Sequence, residues 1–292
     1  MTTTAADLSR EPATRAVRSP LRSTALLVLE FCVLAIPFNV AYGYAMGIVY
    51  RATPLTGLSF AILTAAVLCN AYWLWARFVV RRTPTELTPV DGAGLGLGVL
   101  LGAVLMCTVV AVIAIAGDLH LSAGSGPALA GLPGVALLAG VAEELIARGI
   151  VLRNLENVFG SIFAIAATAV LFGCLHFGNP HATPLSTIAI GIEGGAMLAA
   201  VYVATRSLWW TIGVHAAWNF TQTSVFGIAD SGHPGRGFLQ SQLDGPAWLT
   251  GGVFGVEASL VSVVLCAAVA IFFLLRAHRD GRFVAPIWSS RR

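Results

Sequence analysis

The chain has 292 residues, 57% of them apolar and 11% charged, with a formal net charge of +3 and a mean hydropathy of +0.82. Soluble domains carry about 25% charged residues, so this composition excludes an ordinary soluble protein. It points to an all-α, polytopic membrane helix bundle in a single domain.

Every basic residue is Arg and none is Lys, which hints at a GC-rich bacterial genome. The arginines sit at loop ends and form no continuous groove, so no nucleic-acid partner is expected. Cys32, Cys69, Cys107, Cys174 and Cys266 lie in apolar runs without metal or disulfide spacing, and read as small buried hydrophobes.

Residues 1–22 are polar and read as a cytoplasmic tail. The apolar run from Ser23 to Tyr50 is too long for a cleaved signal segment and reads as the first membrane helix, kinked at Pro37, with Glu30 paired or snorkelling. Residues 58–80 form the second helix, closed by Trp73, Trp75 and then Arg77, Arg81 and Arg82, a cytoplasmic-interface signature. The third spans 93–116, with Gly94, Gly98 and Gly102 at small-xxx-small spacing. Its GLGLG run is no nucleotide loop, because no strand precedes it. The fourth runs from about 128 to 157 and the fifth from about 160 to the His176–Pro180 turn. The sixth covers about 184–205, the seventh 207–227 and the eighth 248–275, before a basic tail over 276–292.

These eight crossings over 23–275 place both termini on one side. Fourteen arginines then fall on that side and two, Arg51 and Arg236, on the other. The positive-inside rule makes the crowded side cytoplasmic. The protein is expected to be a multi-pass component of the cell membrane, most simply a bacterial plasma membrane.

The fourth helix carries Glu143, Glu144 and Arg148 in an apolar run. Each charge near a bilayer centre costs at least ~2.5 kcal/mol, so three in six residues need compensation and usually serve a function. Glu144 and Arg148 are i, i+4 with the acid first, the favoured ion-pair order. Glu143 lies about 100° away on the helix and is left to face something else.

His176 follows Phe172 by four residues, and Asn219 follows His215 by four. If the fourth and fifth helices form a hairpin turning near Phe159, Glu143 and His176 both lie about 25 Å from the turn. His215 reaches that level if the hairpin protrudes about 10 Å. A carboxylate, two imidazoles and an amide in one cavity can activate water and stabilise a tetrahedral oxyanion. Peptide hydrolysis needs these parts. A proton relay in a transporter would need only the carboxylate and imidazoles.

The motifs Glu143-Glu144-xxx-Arg148, Phe172-xxx-His176 and His215-xxx-Asn219 resemble those of the CPBP family, which holds type II CAAX prenyl endopeptidases and bacteriocin-processing or immunity proteins. The resemblance covers about residues 90–226. Residues 1–80 and 230–292 are expected to add only membrane helices. The resemblance implies an intramembrane endopeptidase acting on a membrane-associated peptide or protein in contact with membrane lipid. It makes Glu143 the base that activates water, His176 its partner, and His215 with Asn219 the oxyanion pocket. Glu144, Arg148 and Phe172 are implied as supporting residues.

Two other readings stand beside it: a catalytically idle immunity or scaffold protein of the same family, and a small proton-coupled transporter. Members of the family are described both as zinc-dependent and as metal-free glutamate proteases. Glu143, His176 and His215 could form a two-His, one-Glu zinc set; the metal-free form is the expectation carried forward. Glu193, in the sixth helix, belongs to none of the motifs; it either lines the substrate path or pairs with a buried Arg or polar group, and pairing is the expectation carried forward. His120, His181, His233 and His278 are expected to be solvated.

Overall fold

The computed structural model describes residues 20–88, 91–124 and 132–289; most of the expected N-terminal tail lies outside them. Among the described residues, eight long helical segments form the bundle: α1 (20–49), α2 (54–79), α3 (92–115), α4 (132–159), α5 (161–176), α6 (184–205), α7 (208–225) and α8 (260–279). The segments 24–49, 55–79, 92–115, 184–205 and 260–279 are long and apolar enough to cross a membrane. The apolar α5 has only 16 residues. α4 and α7 are outside this set because ionisable and hydroxyl groups interrupt them.

The reason is positional. α4, α6 and α7 are the most enclosed helices, with α1, α2, α3, α5 and α8 packed around them. The outer helices present Val33, Val40, Leu63, Val67, Leu100, Val104, Ile162, Val170, Ile271 and Phe272 outward, as lipid contact requires. Cys32, Cys107 and Cys174 also face outward and Cys69 is half-buried; Cys266 is the only one of the five that is fully buried, against the expectation for all of them.

The small-residue stripe of α3 has a clear use. A Cβ added at Gly98 would strike the backbone carbonyl of Trp210, and one at Gly102 that of Val214. These glycines let α3 lie against α7 at backbone contact, and so set the position of His215 and Asn219.

Several helices contain π-wound turns: 31–35 in α1, 75–79 in α2, 145–152 in α4, 191–197 in α6 and 221–225 in α7. The first explains how the chain accommodates Pro37, which cannot donate into the helix ladder. The others in α4, α6 and α7 lie beside the polar cluster described below.

The all-α bundle is as expected, with one addition and one correction. In the connections, β1 (Leu119–Ala123) pairs antiparallel with β2 (Leu239–Leu243). This small sheet brings the α3–α4 and α7–α8 connections to the same face of the bundle. The eighth helix also starts at Leu260 and not near 248. Gly251, Gly252 and Gly255 all have positive φ, which breaks the helix after one turn at Ala247–Thr250. The chain resumes at Ser259, whose hydroxyl accepts from the Ser262 amide.

Candidate active site

The expected ion pair is present. Arg148 Nη1 donates to Glu144 Oε1 at 2.7 Å, and both side chains are wholly buried. Arg148 does more than neutralise Glu144. Its Nη2 donates to the backbone carbonyls of Gly194 and Gly195 in the π-wound turn of α6, the latter at 3.0 Å. A π turn departs from regular α-helical winding, and Arg148 supplies an outside donor to its carbonyls. The guanidinium also lies over the Phe172 ring, 5.1 Å from its centroid. Gly194 is required here, because a Cβ would collide with that ring.

Glu144 has a second partner. His215 Nδ1 donates to the same Oε1 at 2.9 Å. A carboxylate only accepts, so the Nδ1 proton is fixed on the Glu144 side and Nε2 is turned toward the cavity. There Nε2 stands 4.0 Å from Glu143 Oε2. His176 is held in the same way: its Nδ1 donates to the Phe172 carbonyl at 2.8 Å, which frees its Nε2. Phe172 packs between the two rings, with centroids 4.8 Å from His176 and 6.3 Å from His215.

Glu143 faces away from Arg148, as the helix geometry predicts. Its Oε1 accepts from the Tyr42 hydroxyl of α1 at 2.7 Å. Glu143, Phe172, His176, His215 and Asn219 all line one cavity of about 280 Å³. Three helices therefore bring the motif residues together. Glu144 and Arg148 stand behind the wall as its support.

The cavity also takes residues that lie outside 90–226. Tyr42 and Tyr50 come from α1, and Asp230, Ser231, His233 and Glu257 from the α7–α8 connection. The terminal regions thus contribute more than membrane helices. His233, expected in solvent, stacks on Tyr50 at 6.4 Å. Glu193 also lines the cavity and has no ion-pair partner among the described residues, against the expected pairing. Its place in the apolar run Ile192 to Gly195 signalled an intramembrane acid. The tyrosines and the α7–α8 residues carried no local signal.

Burial, opposed by His215, pushes the Asp230 carboxyl up to about 6. Burial and then the charge of Asp230 hold Glu257 well above the ordinary carboxylate range. Among the described residues, no three His, Cys, Asp or Glu side chains are grouped so as to hold a metal ion.

Fold and site together define a polytopic helical membrane protein with an ionisable cavity enclosed by its central helices. Residues 125–221 match the family model described as Type II CAAX prenyl endopeptidase Rce1-like. That match falls inside the stretch where the three motifs place the CPBP resemblance, and the family is a protease family. No curated protein and no solved structure gives a significant match.

Proposed function

We propose that the protein is an intramembrane endopeptidase that hydrolyses a peptide bond with water activated by Glu143. The observation that carries this reading is the convergence of Glu143, His176, His215 and Asn219 on one cavity. Glu143 takes a proton from water as the oxygen attacks the scissile carbonyl carbon. Tyr42 donates to the other side of the carboxylate and orients it. His176 Nε2, free of its own backbone bond, accepts from the same water and aligns it. The oxyanion that forms is met by the Asn219 amide and by His215 in its protonated form, whose positive charge Glu144 supports. The proton held by Glu143 then passes to the leaving amine as the C–N bond breaks.

No step is routed through a metal. Zinc analysis of purified active protein, with chelation and add-back, tests this choice. Stoichiometric zinc, with activity lost on removal and restored on addition, would recast Glu143, His176 and His215 as ligands.

The proposed substrate is a membrane-associated peptide precursor or a membrane-protein segment. Peptide profiling of membranes from cells carrying the wild type or Glu143→Gln tests the reading. New termini that depend on Glu143 are expected. Identical profiles, with equal protein levels, would refute it.

A further inference from the structure

The cavity holds more acid than the proposed hydrolysis uses. Beside Glu143 it is lined by Glu193, Asp230 and Glu257, while no Arg lines it and the chain contains no Lys. Its basic groups are the imidazoles of His176, His215 and His233.

Glu193 is the telling member. It is 4% exposed, and its Oε1 has no hydrogen-bond partner. Arg148, whose guanidinium contacts the same helix, is already engaged by Glu144 and the Gly194 and Gly195 carbonyls. Glu257 is 1% exposed and lines the same cavity. The Gln222 amide and the Ser231 backbone N–H hold it in place. Burying carboxylates without counter-charge is costly, and an entering cation would offset that cost.

The remaining wall suits an organic cation. Tyr42, Tyr50, Phe172 and Trp218 line the same cavity and offer aromatic faces. The acids are not clustered tightly enough for a metal ion. An elongated cation with an apolar stem matches this spread of acid and ring.

We infer that Glu193 and Glu257, with Asp230, form a specificity subsite that receives a Lys or Arg side chain of the substrate peptide beside Glu143. The inference rests on the endopeptidase reading for the word substrate, but the subsite itself can be tested without turnover.

The full chain in lipid nanodiscs is titrated with fluorescent apolar peptides that differ at one position. Lys is compared with norleucine, and Arg with citrulline. Binding is read by anisotropy and cleavage by mass spectrometry on the same samples. The charged peptides are expected to bind at least about tenfold more tightly, a difference of about 1.4 kcal/mol. Glu193→Gln is the decisive variant, since it keeps the side chain's size and its Oε1 makes no hydrogen bond that the change would break. It should reduce the discrimination to less than about threefold. Equal binding of charged and neutral peptides, or no binding of either, overturns the subsite. So does a preference that persists in Glu193→Gln. Cleavage without preference refutes the subsite alone, whereas preference without Glu143-dependent cleavage refutes the protease alone.

Discussion

The two ends of the bundle treat charge in opposite ways. At the end where α4 meets α5, buried carboxylates have arginine partners. Glu30 accepts from Arg153 at 2.6 Å and from the Asn154 amide. Glu86 is gripped by Arg82 and by the Tyr72 hydroxyl. Glu156 takes two bonds from Arg206 and one from Ser161. At the cavity end, Glu143, Glu193, Asp230 and Glu257 have no arginine at all. Between the ends, the buried Glu144–Arg148 pair backs the site and reaches it through His215. The paired end holds helices together. The unpaired end keeps its carboxylates available for protons, water and ligand, at a cost in stability.

This contrast can be broken at several points. The largest effect is expected for Arg148→Ala, which strands Glu144 and removes the donors to Gly194 and Gly195. Breaking a buried pair costs about 3–5 kcal/mol. Thermal unfolding in detergent should show that loss, with activity absent. Arg148→Lys should restore only part of it, since an ammonium lacks the guanidinium fork. Unchanged unfolding for Arg148→Ala would remove the pair from the structural account.

Glu143→Gln, one residue from the pair, should do the reverse. Unfolding should match the wild type, while cleavage falls about 100- to 10,000-fold, the range for a lost general base. A stable variant that cuts at the wild-type rate would end the catalytic assignment of Glu143.

At the paired end, Arg206→Ala removes both guanidinium bonds to the buried Glu156. Leaving a buried acceptor short costs about 1–3 kcal/mol. The unfolding temperature should drop, with the cleavage rate per folded molecule unchanged. A selective loss of cleavage would show that this end is not purely structural.

At the cavity end, the raised Asp230 sets a pH dependence. Its ordinary value of 3.8 becomes about 6 in the fold, mainly through burial. The folded protein then retains a proton that the unfolded chain releases between those values, so stability falls as pH rises through the window. Asp230→Asn removes this term. Wild type and variant should unfold alike near pH 4, and the variant should be more stable at pH 7 by on the order of 1 kcal/mol. A variant less stable at pH 7 would mean that Asp230 is favourably paired.

The smallest effect belongs to Arg276→Ala. Arg276 meets Asp280 at 3.6 Å on an exposed face, and such pairs contribute about 0–1 kcal/mol. A change in unfolding below about 0.5 kcal/mol is expected.

Much of this was legible in the chain itself. Apolar runs of helical length cannot stay in water, and their succession determined a helical membrane protein with near-correct bounds for seven of eight helices. The spacing of Glu144 and Arg148 determined their pairing, because four residues on a helix share a face whatever surrounds them. The same rule sent Glu143 elsewhere and grouped His215 with Asn219. Tertiary structure decided what those residues meet. That Glu144 holds His215, that Tyr42 holds Glu143 and that Asp230 and Glu257 close the cavity are contacts between segments far apart in sequence. No local period encodes them. They depend on how closely helices approach, which Gly98, Gly102 and Gly194 permit by having no side chain. The break before α8 needed three glycines to take positive φ together, and the β1–β2 pairing needed two loops to meet on one face. Glu193 shows the division most plainly. Its position in an apolar run marked an intramembrane acid, but only the packing of α6 in the bundle left its Oε1 without a hydrogen-bond partner and the side chain lining the cavity.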